Sequence, residues 1–292
     1  MNKYKLYPVI FTLLLVSFTI YVLLDTFVVS EVYEIVDNTT KIKTKTGNVD
    51  ITDNTYEDDN ISISISTIRK YDTTIYIADV ILNSSDYLKT AFANNSYGKN
   101  ITATTSEIAK NNNAILAING DYYGVQQSGY VLRNYQLYRS ISAGDKDDLV
   151  IYSDGSFEII NESEISAEEL VKKGAKELLS FGPVLIKDGN ILVSENEEVG
   201  KAMASNPRTA IGFIDNNHYV LVVSDGRTSE SEGLSLYELS LVMKEYGLKT
   251  LYNLDGGGSS AMYFNGNLIN KPTTNGRTIK EREVSDIVYI GY

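Results

Sequence analysis

From Leu6 to Leu24 the chain carries no charged residue, and this run separates a short amino-terminal tip from everything that can fold in water. Roughly 19 residues at 1.5 Å each reach about 28 Å, enough to cross a hydrocarbon core. A cleaved signal peptide is the competing reading, but it would end in a small-x-small site, and Leu23-Leu24-Asp25-Thr26-Phe27 offers none. The run is therefore read as a retained signal anchor over residues 6–24, preceded by a cytoplasmic tip over 1–5. Lys3 and Lys5 hold that tip inside, which places the carboxy-terminal domain outside the cell membrane. Residues 25–60 turn to Thr, Asn, Asp and Lys and read as a polar spacer, with a loop or edge strand of the domain as the plainer alternative.

Residues 61–292 are long enough for one α/β-class domain with a core of its own. The net charge of -12 argues against nucleic acid as a partner, because phosphate backbones demand fields of Lys and Arg. There is no Cys and a single His, His218, so thiol nucleophiles, thiolate zinc sites and disulfides are excluded. His218 sits in the turn Asp215-Asn216-Asn217-His218 between two apolar runs, a place for a turn more than for a catalyst. Acid–base chemistry then falls to Asp, Glu, Tyr or Lys.

Ile61 to Ile68 alternates Ile and Ser, the period of a strand with one buried face. Further strands are expected over Thr74–Leu82, Ala114–Ile118, Ala210–Ile214, Tyr219–Ser224, Thr250–Leu254 and Val284–Ile290. Capping boxes at Ser166/Glu169 and Ser235/Glu238 announce helices, and Thr104–Asn112 reads as a third. Lys187-Asp188-Gly189-Asn190 and Phe264-Asn265-Gly266-Asn267 are hairpin turns. Strands outnumber helices and tight turns join them. The expected class is α+β: a mixed, mostly antiparallel sheet with a few packing helices, preceded by one transmembrane helix.

Chemistry concentrates at strand ends. Asp255-Gly256-Gly257-Gly258-Ser259-Ser260 follows an apolar strand, and three glycines in a row let backbone N–H groups converge on an anion; a simple glycine turn is the alternative. Asn119-Gly120-Asp121-Tyr122-Tyr123 also follows a strand. It offers a carboxylate and two aromatic rings suited to a sugar face, or an ordinary Asp/Gly turn. Arg208 leads into a buried strand and needs a carboxylate or an anion as partner, while Asp225-Gly226-Arg227 ends the next strand.

These segments run in a definite order: Ile118 to Tyr123, Phe181-Gly182-Pro183, Pro207 to Gly212, Val223 to Arg227, Ser231 to Ser235, Asn253 to Met262, and Arg282-Glu283-Val284-Ser285. In that order they resemble the phosphodiester glycosidase domain family, including its bacterial exopolysaccharide-biosynthesis-type members. The resemblance covers most of Ala114 to Tyr292 and is most specific at the Asp-Gly-Gly-Gly-Ser-Ser segment. It implies hydrolysis of an N-acetylglucosamine-1-phosphodiester or related glycosyl phosphodiester, in a cell-wall or exopolysaccharide setting. It also implies catalytic roles for Asp121, Arg208 and Asp255. Arg208 and the Gly256–Gly258 backbone would hold the phosphodiester. One carboxylate would activate water or steady the oxocarbenium-like centre, and the other would bind sugar hydroxyls or a cation. Substrate contacts are expected from Asn119, Gly120, Tyr122, Tyr123, Thr209, Asp225, Arg227, Asn253, Gly256, Gly257, Gly258, Ser259, Ser260 and Arg282. No cofactor is assigned, and a divalent cation stays open. The alternatives are a non-catalytic surface protein that binds glycans, and a glycosidase acting on a phosphate-free polysaccharide. A calcium-stabilised module ranks behind both, since no acidic loop has EF-hand spacing.

Overall fold

The Ile-Ser alternation becomes the strand Ile61–Lys70, with Ile61, Ile63 and Ile65 buried and the intervening serines turned outward. It belongs to a nine-stranded sheet in a computed structural model that describes residues 3–36, 48–196 and 205–292. The extreme amino-terminal tip and the middle of the stretch read as a spacer lie outside the described residues. Across this sheet the order is Asn190–Ile191, Val184–Lys187, Thr250–Asn253, Thr209–Asp215, His218–Ser224, Thr73–Leu82, Ile61–Lys70, Thr55–Glu57 and Asp50–Ile51. Two further sheets have five strands each, and Glu31–Ile35 pairs with Ser96–Lys99 as a separate ribbon. Every strand pairing among the described residues is antiparallel. The α+β expectation therefore holds.

The main core lies between one face of the large sheet and the inner faces of the two five-stranded sheets. It joins Ile63, Leu221 and Tyr252 from the first to Leu149, Ile118 and Val288 from the others. The opposite face of the large sheet is covered by the helix Leu236–Lys244, which buries Leu236, Leu239, Val242 and Met243. Each such side chain contributes about 1.5–3 kcal/mol of apolar burial. The Ser235/Glu238 and Ser166/Glu169 capping boxes form with both reciprocal hydrogen bonds. The 188–189 turn takes the left-handed φ values of 51° at Asp188 and 74° at Gly189 that a tight hairpin requires.

Two differences from the sequence reading matter. Strands Thr55–Glu57 and Asp50–Ile51 extend the edge of the large sheet, and Glu31–Ile35 pairs with Ser96–Lys99. Parts of the stretch read as a polar spacer are therefore hydrogen-bonded to the domain as edge strands; their few apolar residues suffice because an edge buries little. The second is the five-stranded sheet built from Gln136–Arg139, Val131–Arg133, Ala175–Leu179, Asp147–Tyr152 and Phe157–Asn161, none of which the sequence patterns announced. Its strands are short, and buried polar residues such as Asp148 and Glu177 interrupt the alternation. The amino-terminal helix runs Lys3–Phe27, and 22 residues of it, Leu6–Phe27, form a strongly apolar stretch left unburied by the domain, a length that suits either a membrane span or a signal sequence.

Candidate active site

Thr250–Asn253 and Thr209–Asp215 are neighbours in the large sheet, with Asn253 opposite Ala210. One strand therefore exits, at Leu254-Asp255, beside the point where Pro207-Arg208 enters the other. The Leu254 N–H donates to the Thr209 carbonyl at 2.9 Å and the Gly257 N–H to the Pro207 carbonyl at 2.8 Å, which folds the glycine run back over the entry. A cavity of about 220 Å³ opens at this junction, lined by Arg208, Arg227, Arg282, Asn253, Asp255 and the Gly256-Gly257 backbone, with Phe181 and Asn206 at its walls.

Three guanidinium groups thus meet one carboxylate. Arg282 donates from Nη2 to Asp255 Oδ2 at 3.1 Å and from Nε to Ser259 Oγ at 3.0 Å, and the Ser259 hydroxyl in turn donates to Asp255. Arg208 is buried and fixed by its Nε, which donates to the Leu234 carbonyl at 2.7 Å. Arg227 reaches Asn206 Oδ1 through Nε at 3.1 Å and Nη2 at 2.9 Å, and the Thr274 carbonyl through Nη1 at 2.7 Å. Burial, then the charges of Arg282 and Arg208, lower the Arg227 pKa. Burial raises the Asp255 carboxyl above the ordinary carboxylate range, against the opposing pull of Ser259 and Arg282. Such a site is short of negative charge, and an anion would relieve it.

Two of the glycines allow close approach. At Gly257, with φ at 60°, a Cβ would lie 2.8 Å from Arg227 Nη2; at Gly258 it would lie 2.4 Å from Thr274 Oγ1. The Gly257 N–H is already spent on the Pro207 carbonyl, which takes one of the three amides out of any anion cradle. Two buried polar atoms beside the cavity have no hydrogen-bond partner, Asn253 Oδ1 and Ser260 Oγ.

Asn119 and Thr209 lie just behind the lining. Asn119 Nδ2 donates to the Asp255 carbonyl at 2.5 Å, and the Thr209 hydroxyl donates to Asn119 Oδ1 at 2.8 Å, so Asn119 ties two sheets to the loop. The Gly120 carbonyl accepts from the Asp255 N–H at 3.2 Å.

Other expected residues stand apart from the cavity. Asp121 is fully buried: Oδ2 takes Arg133 Nη2 at 2.9 Å and the Ser180 N–H at 2.8 Å, and Oδ1 takes the Tyr123 N–H at 3.2 Å. Arg133 also bonds Asp286 Oδ2 at 2.9 Å, completing a closed triad. Tyr123 packs edge-on against Phe92 and stacks with Tyr97 in a core cluster, while Tyr122 is exposed on the surface with φ at 66°. Asp225 is held by the Tyr76 hydroxyl, Asn270 Nδ2 and the Lys271 N–H. His218 pairs with Asp79 at 2.7 Å on the flank of the large sheet. Asn206, Phe181 and Thr274 escaped sequence reading; the only signal was Phe181 in the Phe-Gly-Pro segment. Among the described residues no three Asp, Glu or His side chains gather in a way that could hold a metal ion.

The chain is 28% identical over 215 residues to the SPbeta prophage-derived uncharacterized protein YomE of Bacillus subtilis, covering 71% of this chain and 32% of that one. It is 27% identical over 188 residues to the human N-acetylglucosamine-1-phosphodiester alpha-N-acetylglucosaminidase, covering 59% and 36%. The chain thus matches about a third of the length of these relatives. Its fold is that of the zebrafish catalytic domain of the same name, auto-inhibited by its pro-peptide, at TM-score 0.63 and 19% identity over 90% of this chain and 88% of that one. A hypothetical protein from Synechocystis shares the fold at TM-score 0.61 and 15% identity, over 80% and 62%. The phosphodiester glycosidase model matches residues 112–291, more than half of the 292 residues and the whole of the cavity lining: this chain belongs to the phosphodiester glycosidase family.

Proposed function

We propose that the chain hydrolyses a glycosyl phosphodiester of the N-acetylglucosamine-1-phosphodiester type, with the phosphate seated among Arg208, Arg227 and Arg282. The carrying observation is that these three arginines line one small cavity with a single lining carboxylate. A phosphodiester brings one negative charge and oxygens that accept from guanidinium groups, so it offsets part of the positive excess that Asp255 alone leaves. The same arginines stabilise charge as it develops on the departing phosphate, which reduces the need for a strong general acid.

Asp255 is the carboxylate placed to act at the sugar, by activating water or steadying the oxocarbenium-like centre. Its raised pKa suits a group that exchanges a proton during the reaction. Asp121 takes a positioning role in this reading, because its oxygens are engaged and no face of it is open. Asn253 Oδ1 and Ser260 Oγ, buried without partners, are suited to hydroxyl or amide groups of the sugar. The arginine excess favours this reading over a glycosidase for a phosphate-free polysaccharide. The amino-terminal helix would hold the domain on the outer face of a membrane, in a cell-wall or exopolysaccharide setting, with Lys3 and Lys5 inside.

The test is release of free N-acetylglucosamine from an N-acetylglucosamine-1-phosphodiester by the full chain. Release, and its competitive inhibition by inorganic phosphate, is the expected result. Equal turnover of a phosphate-free N-acetylglucosaminide would overturn the phosphodiester assignment.

A further inference from the structure

Arg282 lines the arginine cavity and also a second hollow, of about 450 Å³, between the 271–283 loop and Thr104, the residue that caps the helix Thr105–Asn111. The loop is fixed on residues of the cavity region. Asp225 Oδ1 accepts the Lys271 N–H at 2.8 Å at its start, and the Lys280 N–H donates to the Pro272 carbonyl at 2.8 Å across its neck. Within the loop the buried Thr273 hydroxyl donates to the Thr278 carbonyl at 2.8 Å and accepts the Gly276 N–H at 3.0 Å. Its tip docks on Arg227: Nη1 donates to the Thr274 carbonyl at 2.7 Å, and a Cβ at Gly276, with φ at 73°, would overlap the Arg227 carbonyl. Asp225, which lines neither hollow, thus anchors the loop that joins them.

Two basic and two acidic side chains line the second hollow, Lys280 and Arg282 against Glu281 and Glu283, and leave no net charge to select an ion. Among the described residues no aromatic or large aliphatic side chain lines it, so neither a stacked ring nor an alkyl chain finds a surface there. What it offers is hydrogen bonding. Asn275 Oδ1 is taken by the N–H groups of Arg277 at 2.9 Å and Thr278 at 3.2 Å, and Glu281 by the N–H of Ser106 at 3.0 Å. Among the described residues no protein acceptor meets Asn275 Nδ2, the hydroxyls of Thr274 and Thr278, or Lys280 Nζ. Such a set suits neutral hydroxyl groups, which accept from these donors and donate to Glu283.

We infer that this hollow is the subsite for the second ester arm of the phosphodiester, and that it takes a neutral hydroxyl-bearing group, a sugar or polyol, in preference to an alkyl chain. Asn275 and Lys280 are the specificity-determining donors. The inference rests on the phosphodiester reading of the arginine cavity. In that reaction the bond from the anomeric carbon to the phosphate oxygen breaks. Water supplies a hydroxyl to the sugar and a proton to the departing phosphate monoester, which keeps the second arm. The hollow therefore holds the leaving group, with Arg282 between it and the sugar.

The methyl, hexyl and glucos-6-yl esters of N-acetylglucosamine 1-phosphate share the reacting bond and differ only in that arm. The full chain is assayed for kcat/KM of N-acetylglucosamine release from each. The glucosyl ester should exceed the methyl ester roughly tenfold, the size of one or two added hydrogen bonds, and the hexyl ester should stay close to the methyl ester. Asn275→Ala and Lys280→Ala, both at exposed positions on the loop, should each bring the glucosyl-to-methyl ratio towards one. That ratio is taken within one protein and does not depend on its folded fraction. Release from both esters at equal kcat/KM would overturn the subsite and leave the phosphodiester reading standing. A ratio unchanged in both variants would overturn the assignment of Asn275 and Lys280. A hexyl ester cleaved best would overturn the sugar or polyol preference and give the hollow to an alkyl chain. No release from any ester would overturn the phosphodiester reading, and this subsite with it.

Discussion

The Asn119–Asp121 segment joins two arginine clusters, Arg133 on Asp121 itself and Arg227 in the cavity with Asp255, whose backbone Asn119 and Gly120 bind, but the two clusters are finished differently. Arg133 gives Nη2 to both Asp121 and Asp286, is 2% exposed, and leaves no opening to solvent. Arg227 spends its donors on Asn206 and Thr274, faces two other arginines, and shares a cavity with one carboxylate. The closed cluster has more negative than positive charge, so burial and Asp121 push the Asp286 carboxyl up to about 7. The open cluster has more positive than negative charge. In the proposed reading identical side chains thus serve cohesion in one place and recognition in the other, and the sign of the leftover charge tells which.

The largest expected effect separates the two at the level of rate. Asp255→Asn should lower the rate of sugar release by about 10²–10⁴, with the urea midpoint nearly unmoved. A variant within tenfold of wild type would remove Asp255 from the chemistry. Arg227→Ala should act in the same direction, chiefly through KM for the phosphodiester.

Next comes cohesion. Arg133→Met strands Asp121 and Asp286 as unpaired buried charges and should cost about 3–5 kcal/mol of stability in denaturant unfolding. A loss below about 1 kcal/mol would mean that the two carboxylates share a proton and need no cation.

A third test uses another buried acid in the sheet that carries Arg133. Both oxygens of Asp148 are buried without a donor, and burial followed by Glu162 pushes this carboxyl up to about 9. A carboxyl raised in the folded state keeps a proton that the unfolded chain has released. Stability should therefore fall as pH rises from just above the ordinary 3.8 towards about 9. Asp148→Asn should flatten that slope in urea titrations at several pH values; a slope as steep as wild type would place the proton elsewhere.

The smallest effect concerns the glycine run. Gly257→Ala puts a methyl group against Arg227 Nη2 and strains a left-handed residue, so it should cost about 1 kcal/mol in stability and raise KM. Normal kinetics would show that Arg227 does not need this approach.

How far the sequence announced this molecule follows the same division. Periodicity and capping gave the strands Ile61–Lys70 and Thr209–Asp215 and both capped helices, because each depends on neighbours in the chain. Strand ends identified Arg208, Arg227 and Asp255, since a charged or glycine-rich exit from an apolar strand is visible locally. What the sequence could not separate was Asp121 from Asp255. Both follow a strand and precede a turn, and only the partner Arg133, brought in from another sheet, closes one of them off. Tyr123 was read as a sugar platform for the same reason: its ring's neighbours, Phe92 and Tyr97, come from distant strands. Asn206 carries no pattern of its own and enters the cavity only because it bridges to Leu234.

The central claim, that Asp255 and not Asp121 acts at the sugar, is tested most directly by single-turnover release of N-acetylglucosamine from its 1-phosphodiester. Asp255→Asn and Asp121→Asn would be compared with wild type, each rate normalised to the folded fraction. The expected result is a collapse for Asp255→Asn and a rate near wild type for the folded Asp121→Asn protein. A normalised rate that collapses for Asp121→Asn and survives in Asp255→Asn would contradict it.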